Sequence, residues 1–337
     1  SQALEERRER GARSCYAALP SRPTASEGKQ ASTTEDPIPE EAAQIPMPRT
    51  TEDLPAQDPL LRFLHDTLGL EHLHYGLWDR DDRELTFTAL RRAQERYAHR
   101  LLEVIATLPV ADVLDVGCGF GTNASLLAHH GYRVALLSPD PYQLARIENG
   151  FMAKHLTRFE EFVPSDYCDL VLMSESSQYV RDLDRLFAVA ASALRQPGYL
   201  LIADYFTRRP RGERRHPIER SGHAIDELRT KARAAGFELQ LDEDISEAVL
   251  PTLELAARLV DQHLTRTLRD LDTDFSAKCG RTRPLSRWMR RQLKYRSLCM
   301  AIHWVERRVA SDFRPRIDPD AFRRLKEYRI LLFQRGP

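Results

Sequence analysis

Apolar positions along the chain change their period several times, and each change outlines an element. Leu60, Leu61, Phe63, Leu64 and Leu68 recur at near-helical intervals ahead of Gly69, which predicts a helix opening at Pro59. Leu90, Ala93, Tyr97, Leu101, Leu102 and Ile105 repeat every three or four residues and predict a second helix over 86–105. Between the two, HLHYGLWD is a compact aromatic segment in which His72 and His74 alternate as they would on a strand. Short apolar runs then alternate with helical patterns. Strands are predicted over 113–116, 132–137, 169–173, 199–205 and 237–241. Helices are predicted over 124–130, 141–150, 183–194 and 225–235. This alternation is that of βαβ units and implies a doubly wound α/β core. From Glu247 to about Phe313 nearly everything reads helical, before YRILLF (328–333) supplies a last strand. The simplest arrangement is a helical insertion placed before the final strand of a seven-stranded sheet.

Composition divides the chain further. Residues 1–58 are rich in Pro, Ser, Thr, Glu and Ala without a sustained hydrophobic period, and are expected to be a disordered tail. The remainder divides into a helical cap (59–110), an α/β core (111–245), a helical insertion (246–318) and a closing helix and strand (319–337). The 50 Lys and Arg balance the 50 Asp and Glu, so no global field argues for a nucleic-acid partner. The five cysteines have neither metal-ligand spacing nor an even count, which disfavours a disulfide framework and any metal site. With no apolar signal core and no membrane-length apolar run, a cytoplasmic setting is expected.

The chemistry concentrates in VLDVGCGFG (113–121). A strand carrying Asp115 near its end turns through Gly117, Gly119 and Gly121 into a helix, with Cys118 inside the loop. Glycines in such a turn admit positive φ and let a ligand lie against the backbone. The crevice at the carboxyl end of a first strand is where open α/β sheets bind ligands. A dinucleotide fingerprint would place a glycine at the sixth position, where Thr122 stands, and this weakens the reading as a nicotinamide-dependent oxidoreductase.

VLDVGCGFGTNASLLA resembles motif I of the class I S-adenosylmethionine-dependent methyltransferases, and the resemblance extends over roughly 72–245. It implies a Rossmann-like fold and S-adenosyl-L-methionine as cofactor, with the methionine part held by Asp115, Gly117, Cys118, Gly119 and Gly121. RVALLSPDPYQL (133–144) is similar to the second-strand segment of the cyclopropane-synthase and tocopherol-methyltransferase branch. Most class I members end this strand in an acidic residue for the ribose hydroxyls. Ser138 stands there instead, with Asp140 and Gln143 following, and Asp140 equally suits the cap of the next helix. By the same resemblance Phe159 with Glu160 or Glu161 falls where the adenine is contacted, and Tyr75, within an HYGxW-like stretch, closes over the methionine end.

Polar residues just past buried strands belong to the rim where an acceptor meets the cofactor. These are Ser174, Glu175, Ser176, Gln178 and Tyr179 after one strand, and Asp204 and Tyr205 on the next. Methyl transfer needs alignment above all, and a base only where the acceptor carries a proton. His74, Glu175 and Tyr179 are the candidates for orienting or deprotonating a small-molecule methyl acceptor. Within the insertion, viewed as a substrate lid by analogy with lipid methyltransferases, Arg281–Arg296 carries seven basic and no acidic residues. A second basic stretch, TRRPRGERRHPIER, follows Asp204. Together they suit an anionic or amphiphilic acceptor or peripheral membrane contact, though a solvated face would show the same charges. The rival from another class is a catalytically silent, cofactor-binding regulatory protein.

Overall fold

The computed structural model describes residues 64–271 and 304–336, apart from 83, 149 and 306. The expected tail (1–58), the start of the first helix and the basic stretch 281–296 lie outside the described residues. In chain order the principal elements are α1 (Phe87–Ala106), β1 (Asp112–Val116), α2 (Thr122–His129), β2 (Arg133–Ser138), α3 (Pro141–Arg146) and β3 (Ala153–Leu156). They continue with β4 (Cys168–Ser174), α4 (Leu183–Ala193), β5 (Leu194–Thr207), α5 (Ile225–Ala234), β6 (Phe237–Asp244), α6 (Ser246–Leu259), α7 (Pro319–Leu325) and β7 (Lys326–Arg335).

The seven strands form one sheet in the order β3-β2-β1-β4-β5-β7-β6. β1 to β5 pair in parallel, while β7 runs antiparallel to both of its neighbours. The order reverses between β1 and β4, so the loops after these two strands part there and open a crevice. Apolar side chains fill both faces. Val113, Val134, Leu136, Leu170 and Leu172 pack with α1 and α6 on one side. Leu114, Val116, Val171 and Met173 pack with α4 and α5 on the other. A sheet buried on both faces explains why its strands read as continuous apolar runs.

Local chemistry sets the helix starts. Thr86 accepts from the Ala89 amide at the head of α1, and Asp182 accepts from the amides of Asp184 and Arg185 at the head of α4. Asp140 and Pro141 open α3, as Asp318 and Pro319 open α7.

The structure corrects the sequence reading in four places. β3 (AKHL) was not expected; it is a short edge strand of half-buried residues without a β-branched side chain. The helix expected over 141–150 ends at Arg146, because Ile147 turns extended and packs beside Gly121. Residues 71–79 form no strand; Gln94 Nε2 donates to the carbonyls of His72 and His74 at 3.0 and 2.7 Å and holds them as an irregular segment. The first helix of the insertion, α6, is a core element, since Val249, Leu250 and Leu253 are buried with Tyr328 and Ile330 of β7.

Candidate active site

The loop after β1 is shaped by contacts that exclude side chains. Gly117 has φ +71°, and a Cβ there would sit 2.4 Å from the Cβ of Ser176, so the loops after β1 and β4 pass at backbone distance. Ser176 ties them together, its Oγ donating to the Val116 carbonyl at 2.6 Å. Gly119 is different. It also has positive φ, +55°, but a Cβ there would meet only Leu73 Cδ1 at 3.8 Å, which leaves that face open to a ligand. Gly121 adjoins Ile147 and caps α2. Cys118 is buried and its burial pushes the thiol pKa up, so it offers no thiolate.

Asp115 sits beneath this loop. It is 2% exposed and its Oδ2 is buried with no hydrogen-bond partner among the described residues. Burial alone raises its pKa to about 7. An orphaned buried carboxylate oxygen is costly unless something supplies a donor. The ammonium of a bound methionine moiety is such a donor, and with the open face of Gly119 the loop fits S-adenosylmethionine.

At the end of β2 the structure brings Ser138, Asp140 and Gln143 together. Ser138 Oγ donates to Gln143 Oε1 at 3.1 Å and accepts from the Asp140 amide at 3.1 Å. Asp140 in turn accepts from the Tyr142 amide at 2.9 Å as the cap of α3. The hydroxyl of Ser138 is thus already engaged on both sides. Phe159 is buried in the same apolar cluster as Val116 and Leu137, and the neighbouring Glu160 accepts at its carbonyl from Arg185 Nε at 2.7 Å.

Across the crevice, Glu175 adopts φ +53°. A carboxylate-bearing residue in the left-handed region costs about 1–3 kcal/mol, a strain found where a side chain is held for use. Its Oε1 accepts from the Tyr75 amide and from Tyr328 Oη, both at 2.7 Å. Tyr328 Oη lies 2.9 Å from Tyr97 Oη, which lies 3.2 Å from Ser174 Oγ. No partner for Oε2 of Glu175 is found among the described residues. Burial raises the Glu175 pKa to about 8, against the hydrogen bond from Tyr75, which lowers it.

The other expected catalytic residues divide. His74 is buried, with Nδ1 2.8 Å from the Tyr75 carbonyl, Nε2 3.0 Å from His72 Nδ1, and its ring 4.2 Å from that of Tyr97. Burial, then the neighbouring His72, lowers its pKa to about 3, so it stays neutral with both ring nitrogens occupied. Tyr179 is 66% exposed. Asp204 is fully buried and held by three donors, accepting from Ser177 Oγ and from the amides of Gln178 and Tyr205. Its carboxylate holds the loop after β4 in place.

Sequence reasoning missed Tyr97, Tyr328 and Lys326. Tyr97 was legible as a buried helix position but not as a hydrogen-bonding one. Tyr328 and Lys326 reach the rim because β7 is antiparallel and starts where β5 ends. Their period-2 pattern carries no sign of strand direction.

Comparisons with known proteins place this geometry. A family model for a methyltransferase domain matches residues 89–241. No curated protein matches the chain. Among solved structures, geranyl diphosphate C-methyltransferase from Streptomyces coelicolor A3(2), in complex with Mg2+, geranyl-S-thiolodiphosphate and S-adenosyl-L-homocysteine, is similar at 18% identity and a TM-score of 0.54, over 89% of this chain and 100% of that one. The cyclopropane synthase MmaA2 from Mycobacterium tuberculosis matches at 15% identity and a TM-score of 0.53, over 87% and 100%. The [4+2]-cyclase SpnF matches at 18% identity and a TM-score of 0.54, over 79% and 88%. At these identities the structural likeness speaks to the fold.

Proposed function

We propose, from the premise that this chain is a class I S-adenosylmethionine-dependent methyltransferase, that it methylates a small-molecule acceptor bound at the rim between Glu175, Tyr75 and Tyr205. The cofactor, when bound, supplies an electrophilic methyl group on a sulfonium. The chain's own residues then have three tasks. Asp115 and the open face of Gly119 hold the methionine end, with Ser138, Asp140, Gln143, Phe159 and Glu160 at the adenosine end. The segment 72–78 covers the site and excludes water. Glu175 takes the acceptor's proton.

The observation that carries this reading is Glu175 itself. Its strained backbone, one oxygen fixed by two donors and the other without a partner among the described residues give an oriented carboxyl with one face to spare. A base with a pKa of about 8 ionises within the working range and remains strong enough to accept a proton. His74, neutral and doubly engaged, positions the Tyr75 backbone that donates to Glu175. Tyr179, on the outer surface, is assigned to the approach of the acceptor.

Glu175→Gln is expected to lower kcat by about 10²- to 10⁴-fold while leaving the Kd for S-adenosylhomocysteine within about threefold. The measurement is transfer of a labelled methyl group to a panel of phenols, amines and carboxylic acids, with cofactor affinity determined in parallel. The wild-type rate is expected to rise with pH and level off above about 8 as Glu175 ionises. An unchanged rate in Glu175→Gln would remove the base from the account.

A further inference from the structure

A buried cation at the same rim has no part in the scheme above. Lys326 opens β7, opposite Thr207 at the end of β5, and is 3% exposed. Its Nζ lies 3.9 Å from the centroid of the Tyr205 ring and donates to Ser221 Oγ at 3.2 Å. Among the described residues no carboxylate lies within ion-pair distance of it. The adjacent Glu327 is instead paired with Arg208 and Arg329, at 3.2 and 3.0 Å. Buried ammonium groups are normally paired, because leaving water is otherwise uncompensated. One hydroxyl and one ring face use only part of what three N–H donors offer.

Arg214 is in a similar condition. It is half-buried, its Nη1 donates to the Glu219 carbonyl at 3.0 Å, and its Nε is buried with no partner among the described residues. Its charge acts on Lys326, disfavouring the ammonium form. Gly222 lets the segment between them come close, since a Cβ there would sit 2.7 Å from the Tyr205 carbonyl. Ser221, which accepts from the Lys326 ammonium, is itself an exposed residue.

We propose that Lys326, with Arg214 beside it, anchors an oxyanion, a carboxylate or a phosphate, carried by the methyl acceptor. The inference rests on reading this rim as the acceptor site. An oxyanion there would supply the missing counter-charge and accept from the Lys326 ammonium through charge-assisted hydrogen bonds, with the Arg214 charge adding to the attraction. The rings of Tyr75 and Tyr205, with centroids 6.0 Å apart and 28° between planes, give apolar surface for the body of an aromatic acceptor.

The groups facing Lys326 are Asp204 and Tyr205 from β5, Glu175 from the loop after β4, and Arg214, Glu219 and Ser221 from the segment after β5. Burial lowers its pKa to about 7, with Asp204 opposing this and Arg214 adding to it. Anion binding favours the ammonium form and is therefore expected to draw protons from solution at about pH 7.5.

The test is calorimetric, on the full chain with S-adenosylhomocysteine present, at about pH 7.5 in two buffers of different ionisation enthalpy. Sodium benzoate and phenyl phosphate are titrated into wild type, Lys326→Met and Lys326→Arg, and S-adenosylhomocysteine is titrated separately into each. At least one probe is expected to bind wild type with proton uptake. Lys326→Met should weaken it by about tenfold or more and abolish the uptake, whereas Lys326→Arg should retain affinity within about threefold without uptake. The probe that binds distinguishes carboxylate from phosphate. Equal affinity in Lys326→Met, or no binding of either probe to wild type, would overturn the proposal. Anion binding by a wild-type protein that fails to take S-adenosylhomocysteine would keep the anchor and reject the methyltransferase reading.

Discussion

Asp112 and Asp115 stand three positions apart on β1, and their surroundings give them opposite chemistry. Asp112, at the amino end of the strand, is bonded by Arg133 and by Arg195 Nη1 at 2.8 Å, and these partners hold its pKa below the usual range. Asp115, under the glycine loop, has an orphaned oxygen, and burial holds it near 7. A carboxyl whose folded pKa is raised favours folding in its neutral form. That contribution is complete below about pH 4 and is lost as the pH climbs through about 7. A cationic ligand reverses the preference. S-adenosylhomocysteine binding near pH 6 is therefore expected to release close to one proton, read from binding heats in two buffers of different ionisation enthalpy. Asp115→Asn should bind more weakly and release none; equal release from both proteins would remove Asp115 from the ammonium site. Asp115 was legible in the sequence because its place before three glycines is a local pattern. The engagement of His74, and the pairing of Glu175 with Tyr328, were not. Glu175 and Tyr328 lie far apart in the chain, and the bonds of His74 to His72 and to the Tyr75 carbonyl, though local, depend on the irregular path of the segment that carries them.

At the scale of elements, burial on both faces made most of the sheet readable. β1, β4 and β5 announce themselves as apolar runs, and α4 shows its period because Leu186, Phe187 and Ala190 are all fully buried. Phe187 packs against Phe237 and Phe333 with ring centroids 5.5 and 6.2 Å apart, tying α4 to β6 and β7. Phe187→Ala is expected to cost about 3–5 kcal/mol of unfolding free energy, measured by urea titration. A loss below about 1 kcal/mol would show that the layer repacks freely. The elements that escaped sequence reading carry weak or ambiguous signals. β3 has an edge position and only half-buried side chains, so nothing forced an apolar run. The segment 71–79 alternates like a strand, yet Gln94 and Glu175 take up its backbone groups in place of a neighbouring strand. β7 was visible as a strand, but its antiparallel entry was not, and that direction brings Tyr328 and Lys326 to the rim.

For the whole molecule, the reversal of strand order between β1 and β4 sets the ligand crevice, and both loops that border it carry the unusual backbone conformations of Gly117, Gly119 and Glu175. The fold alone leaves the chemistry open, since the similar structures include a cyclase as well as methyltransferases. The roles of Glu175 and Lys326 in methyl transfer both depend on cofactor binding at the glycine loop. The direct measurement is calorimetric titration of S-adenosylmethionine and S-adenosylhomocysteine into wild type and Gly119→Arg, a change that places a long side chain over the open face of the loop without striking the protein backbone. Micromolar binding by wild type, lost by about a hundredfold or more in Gly119→Arg with thermal stability kept within a few degrees, is the predicted result. Failure of both ligands to bind wild type, or equal binding by Gly119→Arg, would contradict the account.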